Sequence, residues 1–547
     1  MANVERLKSE GNELIGNAKY AEAYQKYSDA IAAKPQKKST LSILYANRST
    51  CSFCLANYLD AVNDANQATV IDPTYIKGYL RLAAAAFELG HLNRALTTWK
   101  KGLSCLENAK SRSTVSSDIY KIQKLAFDTG LAKTEEALRK KPSLDTSIHI
   151  GASLMGDVPT VRALKLFRGN QLKKSPIPSS AFLLLRASEF FEATLIRLQS
   201  VTTRPEPGVQ GFLAQIRQCA HSRLQVIAGI ASSILCDARA LVMGPDLTFF
   251  QQLQVQMQFE EQHFKSFGAA QVENVKAEVQ RRLKNSTWDV VYQAIAASVR
   301  NWIVAAFLDV KTGKELSAVE QTKCAVQVLE WGAEQSNTSD FEIFKPTFIR
   351  SVRRLHLFNA MSAYMQGRGY YSLEGIKAMA RDLKEETETS IPQPSDLKEV
   401  NPGSFAAFHV YPIAEAYAAI AWAHRCVAQH ATGEKASKEF LISSRFYIKA
   451  ADAYPEDEEE RPFLLYTAAE NMWKAKSPLR VTLPVCRRIR ESLADSDVIW
   501  GGSGARLGVT ADRAARCQRA ITFMQDCEQK IAAGVLTLDD LKIPAFI

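Results

Sequence analysis

Five polar residues among the first eighty-one are spaced to hold an anion. Lys8 and Asn12 are four apart, and so are Lys77 and Arg81. Residues four apart on a helix share one face. Asn47 lies between the two pairs in the chain. Together they offer two ammonium groups, one guanidinium fork and two amides, with no acid among them. Such a set suits a carboxylate, and better two carboxylates at short separation, as at a chain end terminating in Asp. Each charge-assisted hydrogen bond contributes about 1.5–3 kcal/mol, so removing one partner should weaken binding roughly tenfold or more.

The elements that must position these groups follow from a repeat. Gly11, Ser49 and Ala83 align as the small residue of a first helix. Twelve residues on stand Ala23, Ala61 and Ala95; sixteen on, Tyr27, Ala65 and Trp99; nineteen on, Ala30, Ala68 and Gly102. Twenty-four on, Pro35 and Pro73 end the first two units, and Glu107 takes that place in the third. The second and third units are 34 residues apart and the first two 38, so four residues around Lys37–Thr40 are inserted. They fall in a turn between units. Small residues let antiparallel helices cross closely, large ones fill the space between, and Pro breaks the chain between units. Helix pairs stacked in this way form a superhelix with a concave groove lined by the first helix of each pair.

This pattern resembles three tetratricopeptide repeats (TPR) over residues 1–110. The polar set resembles the carboxylate-clamp TPR domains of heat-shock chaperone partners: Lys and Asn on helix one, Asn on the first helix of repeat two, Lys and Arg on that of repeat three. Here those places hold Lys8, Asn12, Asn47, Lys77 and Arg81. The resemblance implies a peptide ligand, the C-terminal Glu-Glu-Val-Asp of a cytosolic chaperone. It implies that Lys8, Asn12, Asn47 and Lys77 hold the terminal carboxylate, and that Lys77 and Arg81 reach side-chain carboxylates.

The rest of the chain reads as helix. Expected segments are Asp118–Lys141 with Asp118 as N-cap, Phe182–Val201, Trp288–Asp309, Leu316–Trp331 opened by a capping box of Ser317 and Glu320, Phe348–Gln366, Ser372–Glu388, Tyr411–Gln429, Ala436–Ala453, Leu483–Asp495 and Ala511–Ala532. Leu253, Val255, Met257 and Phe259 alternate with polar residues as a strand would, yet the composition favours helix, which is the expectation. Polar text at Asn108–Ser117 and the Pro-rich Thr389–Ser404 suggest linkers. The fold class is therefore all-α: a three-repeat superhelix (1–110), a helical middle domain (111–388) and a C-terminal helical domain (405–547) with a TPR-like hairpin. Residues 111–547 resemble no family.

Other constellations have bland readings. Cys51 and Cys54 form a C-x-x-C at core-like phase, with no second pair, and are expected as buried packing residues. Glu260 and His263 make one Glu-x-x-His without the second copy that a di-metal bundle needs. His424, Cys426 and His430 do not share one helix face. The Glu456–Glu460 run is expected as a solvated helix start. Trp500–Gly508 lacks the ending of a phosphate loop and reads as a flexible loop. Arg353, Arg354 and His356 with Phe358, Tyr364, Tyr370 and Tyr371 read as a buried helix with a charged face.

Composition sets the outer bounds. The chain has 547 residues, 46% hydrophobic and 23% charged, which excludes wholesale disorder. A net charge of +10 is mild at this length and indicates neither nucleic acid nor membrane as partner. Ten scattered cysteines make no disulfide framework, and the polar N-terminus is no signal peptide, so a soluble cytoplasmic protein is expected. The apolar run Val226–Leu235 is too short to span a bilayer. The expected function is a chaperone-binding adaptor whose remainder binds a client or second protein, with no catalytic residue, metal or cofactor assigned. The alternative is an enzyme with an unrecognised all-helical catalytic domain delivered by the clamp, or a groove for a different carboxylate terminus.

Overall fold

The computed structural model describes residues 2–140, 158–173, 177–199, 224–241, 248–268, 272–335, 338–367, 369–392, 400–501 and 509–547. Among these the regular structure is helical and no strand occurs. The chain forms two compact units: Met1–Asp145, Phe264–Thr338 and Ser362–Tyr370 make one, and Thr146–His263, Ser339–Met361 and Tyr371–Ile547 the other.

The first unit opens with α1 (Ala2–Gly16), α2 (Tyr20–Ala32), α3 (Lys38–Cys54), α4 (Tyr58–Ile71), α5 (Ile76–Glu88), α6 (Leu92–Ser111) and α7 (Ser117–Lys140). These are three antiparallel helix pairs and a seventh helix packed on α6. The repeat phase governs the packing. Ala23, Ala30, Ala61, Ala65, Ala68, Ala83 and Ala95 are fully buried where helices cross. Each pair turns through one left-handed residue at the same repeat position, Ala18 (φ 56°), Ala56 (φ 58°) and Gly90 (φ 74°). In each case the next N–H reaches back five residues, as Asn57 N does to Ser52 O at 2.9 Å, closing the helix end. Serines tie α3 to α4: Ser49 Oγ donates to Ala61 O at 2.8 Å and Ser42 Oγ to Ala68 O at 2.9 Å. Arg48 forks onto Asp64 at 2.7 and 2.8 Å in the same interface.

α7 closes the third repeat. Trp99 Nε1 donates to Thr134 Oγ1 at 3.1 Å, and Phe127 is fully buried against Trp99 with ring centroids 5.9 Å apart. Gly102 and Gly130 make room for the two rings: a Cβ on Gly130 would lie 2.5 Å from Trp99 Cζ2. Two sequence expectations change here. α6 runs on to Ser111, shortening the expected linker, and Ser116 rather than Asp118 caps α7, its Oγ accepting from Ile119 N at 3.4 Å.

Three further helices complete this unit: Val272–Leu283, Trp288–Lys311 and Glu315–Ala333. Trp288–Lys311 is the one helix among the described residues long and apolar enough to cross a membrane, and 67% of its apolar window is buried in the fold. The expected capping box of Ser317 and Glu320 does not form. Lys314 precedes the helix, Ser317 Oγ donates to Asp309 Oδ2 at 2.6 Å, and Glu320 lies a turn too deep. Glu320 instead accepts from Tyr58 N at 2.8 Å and Leu59 N at 2.5 Å, capping α4.

The second unit holds Pro159–Arg168, Ser180–Gln199, Val226–Asp237, Thr248–His263, Leu373–Thr389, Tyr411–His430, Gly433–Ala453, Glu460–Lys474, Leu479–Trp500 and Val509–Ala532, with most of Pro346–Met365. The alternating stretch is helical, as its composition suggests, and presents Gln252 and Gln256 to the interior beside Leu253, Val255 and Phe259. Tyr411–His430 and Gly433–Ala453 form the expected hairpin, joined by Ser443 Oγ to Ala421 O at 2.7 Å. Trp473 is fully buried in the core of this unit. Residues 393–399 of the expected linker and 502–508 of the Gly-rich loop lie outside the described residues.

The acidic run is solvated only at Glu456, which is exposed; the other four residues are partly or fully buried. Glu458 is fully buried and receives Arg239 Nη1 at 2.5 Å and the Tyr411 hydroxyl. Asp457 accepts from Ser179 Oγ at 2.5 Å and Ser180 N at 2.8 Å, and Arg513 pairs with Glu460. Arg239 and the two serines draw the run inward, which one strand of sequence does not reveal.

Candidate peptide-binding groove

Asn12 and Asn47 meet directly. Asn47 Nδ2 donates to Asn12 Oδ1 at 3.1 Å, joining α1 to α3. The hydroxyl of Tyr27, on α2, donates to the same oxygen at 2.7 Å. With Asn12 Oδ1 taking both donors, its amide nitrogen keeps two N–H groups for a ligand. Tyr27 is held by α1 itself: a Cβ on Gly11 would come within 2.8 Å of its ring, so only a glycine admits the ring there. Tyr27 is fully buried, and burial pushes its hydroxyl up to about 12, keeping it protonated and a donor.

Arg81, on α5, is the third member. Its positive charge lowers the proton affinity of Tyr27 and of Cys51, against burial that raises both to about 12. Arg81 is partly buried, and its Nη1 is buried with no hydrogen-bond partner among the described residues. Leaving such a donor unmade costs about 1–3 kcal/mol. Lys77 is exposed one turn before Arg81 on the same helix. Lys8 is partly buried one turn before Asn12, its Nζ 2.7 Å from Glu5 Oε2 on an exposed pair that is worth little. The structure thus joins Asn12 to Asn47 and sets Arg81 beside Tyr27, while Lys8 and Lys77 stand a turn away. Tyr27 is the residue that sequence reading left as a packing position; its repeat phase gave the burial but not the hydroxyl's partner.

The remaining candidates resolve into internal contacts. Cys51 is buried but Cys54 is exposed at the end of α3, so only one of the two packs as expected. Glu260 accepts from Val226 N at 2.8 Å and Ile227 N at 3.2 Å, capping a helix rather than holding a metal. His424 Nδ1 lies 2.6 Å from Glu439, and His430 Nδ1 bonds Cys426 O at 2.8 Å. Arg353 pairs with Glu386, Arg354 forks onto Glu415 at 2.6 and 2.8 Å, and His356 bonds the Tyr371 hydroxyl at 3.0 Å. Among the described residues no group of three or more His, Cys, Asp or Glu is placed to hold a metal ion.

No family model matches the chain. Small glutamine-rich tetratricopeptide repeat-containing protein 2 of Saccharomyces cerevisiae is 33% identical over 163 residues, 30% of this chain and 45% of that protein. The Hsp70/Hsp90 co-chaperone CNS1 of the same yeast is 36% identical over 91 residues, 17% of this chain and 24% of that protein. The chain therefore spans less than half the length of these relatives. Among solved structures, the myosin chaperone UNC-45 from C. elegans in complex with a Hsp90 peptide aligns over 96% of this chain and 62% of that one, at 14% identity and a TM-score of 0.27, too low to carry an argument.

Proposed function

We propose that this protein is a chaperone-binding adaptor of the cytoplasm whose groove captures the acidic C-terminal tail of a heat-shock chaperone of the Hsp70 or Hsp90 class. One observation carries the reading: Asn12 Oδ1 takes donors from Asn47, on a different repeat, at 3.1 Å and from Tyr27 at 2.7 Å, which leaves the NH2 of the exposed Asn12 as a donor toward the groove. That is a donor site without its acceptor. The relatives named as TPR proteins and as an Hsp70/Hsp90 co-chaperone support the same ligand class. The nine described cysteines are all free, which suits a reducing compartment.

In this reading Lys8, Asn12, Asn47 and Lys77 hold the terminal carboxylate, and Lys77 and Arg81 the side-chain carboxylates upstream. Lys8 exchanges its exposed Glu5 partner for the peptide. The second unit, with its own core, binds a client or a further protein. Titration of the full chain with Met-Glu-Glu-Val-Asp is expected to give roughly micromolar affinity, lowered tenfold or more by C-terminal amidation, by Lys77→Ala or by Arg81→Ala. Equal binding of the acid and the amide would reject the reading.

A further inference from the structure

We infer that Tyr27 makes this groove prefer a free carboxylate to a carboxamide, acting as a positioning residue through Asn12; the inference rests on the tail-peptide reading above. A side-chain amide has two faces of opposite polarity, and nothing in Asn12 itself decides which one meets the ligand. The neighbours decide. Tyr27 Oη donates to Asn12 Oδ1 at 2.7 Å, and Asn47 Nδ2 donates to the same atom at 3.1 Å. Flipping Asn12 alone would bring its NH2 against the NH2 of Asn47 and take away the acceptor of the buried Tyr27 hydroxyl. Both changes are unfavourable, so the NH2 of Asn12 is left for the ligand. A carboxylate accepts from it; a carboxamide meets it with a donor on one side.

The hydroxyl is specific to this repeat. The positions equivalent to Tyr27 hold Ala65 and Trp99. Neither has a hydroxyl, and the Trp99 N–H points to Thr134 at 3.1 Å. The first repeat alone carries Tyr at this place, and the first repeat carries Asn12. Gly11 belongs to the same device, because its missing side chain is what admits the Tyr27 ring behind Asn12.

The test compares the acid and amidated forms of Met-Glu-Glu-Val-Asp on the full chain, wild type and Tyr27→Phe, with thermal melts to confirm folding. Tyr27→Phe keeps the ring and removes only the hydroxyl. The expected result is a roughly tenfold loss of affinity for the acid, with the amide unchanged, so that the preference narrows. An unchanged preference, or equal loss of both peptides, overturns the inference while leaving the tail-peptide reading in place. Failure of the wild type to bind either peptide overturns that reading and this inference with it. Asn12→Asp serves if Tyr27→Phe fails to fold. Its carboxylate still accepts from Tyr27 and Asn47 but turns an acceptor to the groove, so the acid should be lost more than the amide; equal loss overturns the inference.

Discussion

Glu320 should make the first unit lose stability as pH rises. This carboxyl is 6% exposed, and burial pushes it up to about 8 from its ordinary 4.5, against the pull of two backbone N–H bonds from Leu59 and Tyr58. The folded state therefore binds the proton more tightly than the unfolded state does. Stability from this group is fully present below pH 4.5 and falls as pH rises toward about 8, where the folded carboxyl ionises as well. At about 1.4 kcal/mol for each tenfold in proton affinity, the ceiling for the whole window is about 5 kcal/mol. Glu320→Gln abolishes the titration but costs something else. Tyr58 N and Leu59 N use different oxygens of Glu320, and a glutamine has one oxygen, so one buried N–H loses its acceptor at a cost of about 1–3 kcal/mol.

The two effects run in opposite directions, which makes the comparison decisive. Near pH 4.5, where the wild type has lost little of this contribution, the variant should melt below the wild type. Between pH 4.5 and 9 the gap should close and then reverse, because only the wild type is penalised for ionising. Urea unfolding at four pH values, with amide exchange at Tyr58 and Leu59, measures it. Other groups titrate in the same range, among them Glu459, which burial raises to about 7. They are common to both proteins and cancel in the difference. A gap that stays constant from pH 4.5 to 9 refutes the reasoning.

Two further outcomes follow from the repeats. Ala18 (φ 56°) and Ala56 (φ 58°) occupy the left-handed turn position that Gly90 fills in the third repeat, so Ala18→Gly and Ala56→Gly should each stabilise by about 0.5–1 kcal/mol in denaturant titration. Gly130→Ala drives a methyl to within 2.5 Å of Trp99, so it should cost about 1–3 kcal/mol and move Trp99 fluorescence.

What a linear reading reaches depends on how far apart the deciding partners lie. The small residues at Gly11, Ser49 and Ala83 and the alanines twelve and nineteen later recur at a fixed phase, and that phase alone predicts the burial that the helix pairs show. Most of the long helices of the rest of the chain were legible from periodicity, but the caps read from spacing, Asp118 and the Ser317–Glu320 box, did not form, and Glu460–Lys474 was not anticipated. Glu320 was misread because Ser317 and Glu320 have capping-box spacing, and the backbone that Glu320 caps lies over 250 residues away. Glu458 was misread for the same reason: five consecutive carboxyl-bearing residues look solvated until Arg239 is brought against them. That each unit is assembled from separate stretches of chain likewise rests on contacts within it between distant segments.

The proposed clamp residues sit between these limits. Their spacing places Lys8 with Asn12 and Lys77 with Arg81 on shared faces, which periodicity can show. It cannot show which end of an amide faces the ligand, and for a groove of donors that orientation is the chemistry. Asn12 with its oxygen outward would weaken the site as surely as an alanine would. The determinant is a hydroxyl fifteen residues later, on the neighbouring helix, behind a glycine that a packing argument alone accounts for. The same Gly11–Tyr27 contact that closes the first helix pair thus also sets the polarity of the surface it supports. A substitution judged by packing alone, Tyr27→Phe, is conservative for the fold and should be costly for recognition.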